Sequence, residues 1–121
     1  MTPKVLVSDK LSETAVQIFI DRGIDVDFLP ELGKDKEALA KKIGHYDGLA
    51  IRSATKVTQT ILRNAHKLKV IGRAGIGTDN IDKEAASKKG IVVMNTPFGN
   101  MTTTAEHAIA MMFAVARQIP Q

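Results

Sequence analysis

Gly72-Arg73-Ala74-Gly75-Ile76-Gly77-Thr78-Asp79-Asn80-Ile81-Asp82 follows the largely apolar run 68–71 and packs three glycines and an arginine into its first six residues. Glycines let a backbone turn sharply and let N–H groups approach a ligand closely. An arginine in the same loop adds a planar fork for a carboxylate or phosphate. A dinucleotide fingerprint, G-x-G-x-x-G, would need a glycine at position 80, where Asn80 stands. Thr-Asp-Asn-Ile-Asp follows Gly77 in place of a small-residue helix start. The stretch therefore reads as an anion-binding loop of another kind, placed at the end of a strand.

Working outward, apolar runs alternate with helical patterns. Val5-Leu6-Val7 reads as a short buried strand, and Ser12 caps a helix through Arg22 with Val16, Phe19 and Ile20 inward, stopped by Gly23. Ile24-Asp25-Val26-Asp27-Phe28 alternates with period two, which suits an edge strand. A charged helix follows from Lys34 to Ile43, closed by Gly44, and then a third strand, Leu49-Ala50-Ile51. Thr58 caps a short helix carrying Ile61 and Leu62, and Val70-Ile71 is the fourth strand. Asp82 caps the next helix, which Gly90 ends, and Ile91-Val92-Val93 is the fifth strand. This alternation predicts an α/β fold: a flavodoxin-like five-stranded parallel sheet, order 2-1-3-4-5, with helices on both faces.

The last element differs. Thr103-x-x-Glu106 forms a capping box, with Asn100 as a rival cap, and a helix from Ala105 to Arg117 follows. Between His107 and Arg117 that helix is apolar on every side, so it calls for cover all round. Either the helix is wrapped within this domain's own core, or a second domain or a second subunit supplies the cover, in which case removing the native partner would promote dimerisation or helix exchange. Residues 1–100 thus read as one α/β domain, and 101–121 as an interdomain or dimerisation helix (102–117) with the start of a linker.

Composition narrows the function. The 121 residues are 44% apolar with a net charge of +4, and contain no cysteine. They offer no disulfide framework or thiolate metal site, no leader-like start and no run approaching the ~18 apolar residues of a membrane span. The cytoplasm is the expected location. The lysines lack interleaved aromatics, which argues against nucleic acid, and a small anionic ligand accounts for the positive charge equally well. His45, His66 and His107 follow no metal spacing, and no nucleophile-elbow pattern occurs. Asp79 and Asp82 read as turn and cap residues, and Met111 and Met112 as packing residues.

In open α/β sheets, ligands bind beyond the carboxyl ends of the strands. Arg52-Ser53-Ala54-Thr55-Lys56 follows strand three, Gly72-Arg73-Ala74-Gly75 follows strand four and Met94-Asn95-Thr96-Pro97 follows strand five. Two arginines, a lysine, hydroxyls, glycine N–H groups and an amide would converge there. That set suits a small ligand with two anionic ends. A stand-alone anion-binding or signalling module of the same fold is the competing reading. A phosphate-accepting receiver would need an acidic pair after its first strand, and only Asp9 is present.

The blocks R-S-A-T-K-V from Arg52, the glycine loop through Asp82, Val93-Met94-Asn95-Thr96-Pro97, Ala105-Glu106 and the closing Ala116-Arg117-Gln118-Ile119-Pro120-Gln121 occur in one order. Together they resemble the amino-terminal part of the D-2-hydroxyacid dehydrogenase superfamily, over essentially the whole chain, and more specifically its phosphoglycerate branch. The resemblance implies an NAD-dependent oxidoreductase that converts 3-phosphoglycerate to 3-phosphohydroxypyruvate at the start of serine biosynthesis. It implies substrate contacts from Arg52, Ser53, Arg73, Gly75 and Asn95, and cofactor contacts from Ile76 and Thr104. It makes the apolar helix an interdomain element that supports a homo-oligomer. The NAD-binding Rossmann domain and the catalytic residues would follow Gln121, so these residues alone are expected to be inactive. Another member of the superfamily is the alternative.

Overall fold

A computed structural model describes residues 3–75, 77–96, 106–109 and 113 of the chain. Nine elements alternate: β1 (Lys4–Val7), α1 (Glu13–Asp21), β2 (Asp25–Phe28), α2 (Lys36–Lys42), β3 (Gly48–Ile51), α3 (Gln59–Arg63), β4 (Val70–Arg73), α4 (Lys83–Lys88) and β5 (Val92–Asn95). The strands form one parallel sheet in the order β2-β1-β3-β4-β5, as expected from the sequence. Short 3-10 turns at Leu32–Lys34 and Ile43–His45 flank α2.

The alternating faces of the strands separate two apolar layers. Leu6, Leu49, Ile51 and Ile71 pack with Leu39, Ile61, Leu62 and Ala86 from α2, α3 and α4. Val5, Val7 and Ala50 pack on the other face with Ala15 and Phe19 of α1 and with Ile109 and Phe113. The Phe19 and Phe113 rings meet edge to face, with centroids 5.5 Å apart. Burying each such large side chain contributes about 1.5–3 kcal/mol.

Local chemistry fixes the helix boundaries. Ser12, Asp35, Thr58 and Asp82 each accept a backbone N–H of the following first turn. Gly23 and Gly90 take positive φ, 77° and 74°, just past α1 and α4, and so end those helices.

Several expectations need correction. Helix α1 turns Ala15 and Phe19 inward, with Ile18 partly buried, while Ile20 is 52% exposed. Residues 15, 18 and 19 share one helical stripe, and position 20 lies about 100° further round. Helix α2 begins after Asp35, whose side chain caps it, rather than at Lys34. Strands β4 and β5 extend through Arg73 and Asn95, so Gly72, Arg73 and Asn95 are strand residues. Pairing of Gly72 with Met94 and of Arg73 with Asn95 carries the ladder that far.

Residues 106–109 and 113 are helical. Glu106, Ile109 and Phe113 are all buried against the rest of the domain. The proposed caps at Asn100 and Thr103 and the remainder of 102–117 lie outside the described residues. Among the described residues, no helix is long and apolar enough to cross a membrane.

Candidate functional site at the carboxyl edge of the sheet

Register brings the expected site residues together. Ile51 of β3 is opposite Arg73 of β4, and Arg73 is opposite Asn95 of β5. Neighbouring strands are about 4.8 Å apart, so Arg73 stands between Asn95 and the chain entering Arg52. Arg52, Arg73, Gly75 and Asn95 are half-buried, and Ser53 is exposed. Ile76 and Thr104 lie outside the described residues.

The loop 52–55 is held from below by an acid. Asp9 is only 2% exposed. Its Oδ2 accepts the Arg52 N–H at 2.7 Å and the Thr55 N–H at 3.0 Å, and its Oδ1 accepts the Thr55 hydroxyl at 2.7 Å. The Ser8 hydroxyl lies 2.8 Å from the Thr55 hydroxyl. The backbone of Gly33 passes so close that a Cβ there would collide with Thr55 Oγ1 and Asp9 Oδ1. Asp9 is thus engaged in holding the Arg52 loop. Among the described residues, no group of three or more His, Asp or Glu could hold a metal ion. These facts remove support for a receiver-type magnesium site.

Arg52 is then fixed along one side. Its Nη1 donates to the Lys10 carbonyl at 3.1 Å and lies 3.7 Å from Glu106 Oε1. The Arg52 side chain is 39% exposed. Asn80 ties the two loops together, donating from Nδ2 to the Arg52 and Thr55 carbonyls, both at 2.8 Å. Its backbone carbonyl accepts the Val57 N–H at 2.8 Å. The position at which a dinucleotide fingerprint would need glycine is therefore a loop-to-loop clamp.

The three glycines of the opening stretch have separate roles. Gly72 faces the helical layer, where a Cβ would lie 2.7 Å from the Phe113 ring. Its lack of a side chain serves packing, which corrects its reading as a ligand-approach residue. Gly75 lies against the Arg73 guanidinium, where a Cβ would lie 3.6 Å from Nε. The Gly77 carbonyl accepts a hydrogen bond from Arg73 Nη1. Arg73 also pairs with the exposed Asp79 at 3.6 Å, so Asp79 is more than a turn residue. Arg73 Nε is buried without a hydrogen-bond partner among the described residues. The Asn95 amide donates to the Gly75 carbonyl at 3.4 Å, so that carbonyl holds the loop shut.

Sequence reasoning missed Asp9 in this role, together with Thr55, Asn80 and Glu106. For Asp9, Thr55 and Asn80 the only hint was chemical type, since short polar side chains beside strand ends often satisfy loop backbone groups; Glu106 gave no such hint.

The family model for the D-isomer specific 2-hydroxyacid dehydrogenase catalytic domain matches residues 5–118. The chain belongs to this family. A D-3-phosphoglycerate dehydrogenase of Archaeoglobus fulgidus is 47% identical over 118 residues, which cover 98% of this chain and 22% of that protein. The Homo sapiens D-3-phosphoglycerate dehydrogenase is 48% identical over the same shares. A solved NAD+-bound 3-phosphoglycerate dehydrogenase of Entamoeba histolytica superposes with a TM-score of 0.71 at 37% identity, covering 79% of this chain and 33% of that one. The TT0316 protein of Thermus thermophilus gives 0.73 at 32% identity, covering 95% and 37%. The chain spans about a fifth of the length of the curated relatives it matches.

Proposed function

We propose that this chain is the substrate-binding part of an NAD-dependent D-3-phosphoglycerate dehydrogenase. The whole protein would oxidise 3-phosphoglycerate to 3-phosphohydroxypyruvate, the first step of serine biosynthesis. One observation carries the reading: Arg52 and Arg73 stand at the ends of adjacent parallel strands. A phosphate and a carboxylate on one small molecule suit two arginines presented from neighbouring strand ends. The relatives named D-3-phosphoglycerate dehydrogenase support this substrate over other 2-hydroxy acids.

Within this reading, Arg52 and Arg73 bind the anionic ends, Ser53 offers its hydroxyl, and Asn95 with Gly75 fixes the loop between them. Residues 1–100 are assigned to the substrate domain, and 101–121 to an interdomain helix that also serves a homo-oligomer. Bound NAD would supply the hydride acceptor for the substrate's carbinol carbon. The 121 residues contain no G-x-G-x-x-G pattern, and Gly72 is occupied by Phe113 packing. On this reading the chain's part is to bind and orient substrate. Ile76 and Thr104 are proposed to meet the nicotinamide end once the rest of the protein closes over them.

Titration calorimetry with 3-phosphoglycerate tests the site. Wild-type chain should bind weakly, because half of the pocket comes from elsewhere. Arg73→Ala should abolish the heat. Equal heats from both proteins would remove Arg73 from the site. Reduction of NAD by the 121 residues alone would refute the division of labour.

A further inference from the structure

We propose that Glu106 is a positioning residue for Arg52, so that the helix carrying Glu106 sets the substrate affinity of the strand-edge site. The inference rests on the substrate-site reading of Arg52 given above. Glu106 is 3% exposed, and its carboxylate bridges two segments far away in sequence. Oε2 accepts the Ser12 N–H at 2.8 Å, and Oε1 lies 3.7 Å from Arg52 Nη1. A buried carboxylate is retained only where its partners compensate its desolvation. Here one partner is the backbone entering α1 and the other is the arginine of the site.

The geometry points to orientation. Both contacts to the Arg52 side chain, from the Lys10 carbonyl and Glu106, fall on Nη1. The Nη2 and Nε edge has no partner among the described residues and is the fork that can grip an oxyanion bidentately. Holding the Nη1 side fixes the rotamer and aims the other edge before substrate arrives. Glu106 is itself held. Ile109 and Phe113, three and seven residues on, share its helical face and are buried on the sheet. Gly48 and Gly72 leave room for the Phe113 ring, where a Cβ on either would lie 2.7 Å from it. Displacement of this helix would move the carboxylate that orients Arg52.

Two effects of removing the charge oppose each other. A neutral residue 106 would raise the positive potential at the site, yet it would also free Arg52 to leave its rotamer. Arg52 is partly solvated, which screens the first effect, so loss of orientation dominates.

A double-mutant cycle in the protein at its full natural length reads the coupling, with Glu106→Gln, Arg52→Ala and the pair. Gln keeps the volume and an acceptor for the Ser12 N–H. Glu106→Gln should raise KM for 3-phosphoglycerate about tenfold, with kcat changed less than about twofold. On the Arg52→Ala background the same change should do nothing further. Glu106→Asp, which keeps the charge but withdraws it by one methylene, is carried through the same cycle in case the glutamine variant fails to fold. An unchanged or lowered KM for Glu106→Gln, or an equal rise on both backgrounds, overturns the positioning role alone. An Arg52→Ala protein with wild-type KM overturns the substrate-site reading and this inference with it.

Discussion

The Phe113 ring occupies the space a side chain at Gly72 would need, with a Cβ there only 2.7 Å from Cε2 and 3.3 Å from two methyl carbons of Ile109. Phe113 and Ile109 are only 3% and 0% exposed, so neither can swing away into solvent. Gly72→Ala should therefore destabilise the domain by about 1–3 kcal/mol through overpacking, although alanine suits a strand better than glycine. Urea denaturation gives the comparison. Adding Phe113→Leu should recover part of the loss, since the smaller side chain makes room. A Gly72→Ala protein as stable as wild type would show that this glycine is not there for packing.

Asp9 carries the second prediction. Its carboxylate accepts from two backbone N–H groups and one hydroxyl, all within the loop that presents Arg52. Asp9→Ala leaves two N–H groups buried or half-buried without an acceptor and should cost about 2–5 kcal/mol. Asp9→Asn should be much milder. Its amide oxygen can accept both N–H groups, and its NH2 can donate to the Thr55 hydroxyl, which turns to accept. The same order should appear in calorimetric binding of 3-phosphoglycerate, because the loop carrying Arg52 loosens with its anchor. Equal costs for the two variants would mean that charge, rather than the count of acceptors, holds the loop.

Much of this was legible in the sequence, and the reasons differ by residue. Strand positions followed from short β-branched runs such as Val5-Leu6-Val7 separated by capped helices, because period and punctuation are local signals, and the order came from the common doubly wound arrangement. Arg52, Arg73 and Asn95 could be placed at one edge because parallel βαβ units put every strand end on the same side. The grip on those residues was not legible. Asp9 meets Thr55, 46 residues away, and Glu106 meets Ser12, 94 residues away, through pairings that no local pattern encodes. Gly72 was misassigned for the same reason. A glycine needed for a ring from another element looks, in sequence, like a glycine needed for a ligand.

Tyr46 yields a pH prediction. It is the chain's single tyrosine, beside no tryptophan, so its ionisation can be read alone by ultraviolet absorbance. Its hydroxyl donates to Asp27 Oδ2 at 2.6 Å, and Asp27 also pairs with Lys4 at 3.7 Å. Burial, then the hydrogen bond to Asp27 and the nearby acidic charges, push the phenol well above its ordinary value. A folded-state pKa raised above the unfolded value, about 10, gives stability that is fully present below pH ~10. That stability is lost as pH rises through the folded value. Tyrosinate absorbance should thus lag well behind that of a free tyrosine and appear together with loss of helical circular dichroism. Tyr46→Phe should cost about 1–2 kcal/mol at neutral pH, by removing the bond to Asp27, and should flatten the alkaline decline. Titration near pH 10 with the fold intact would place the phenol in solvent and undo the argument, since the raised value requires Tyr46 to stay buried against β2.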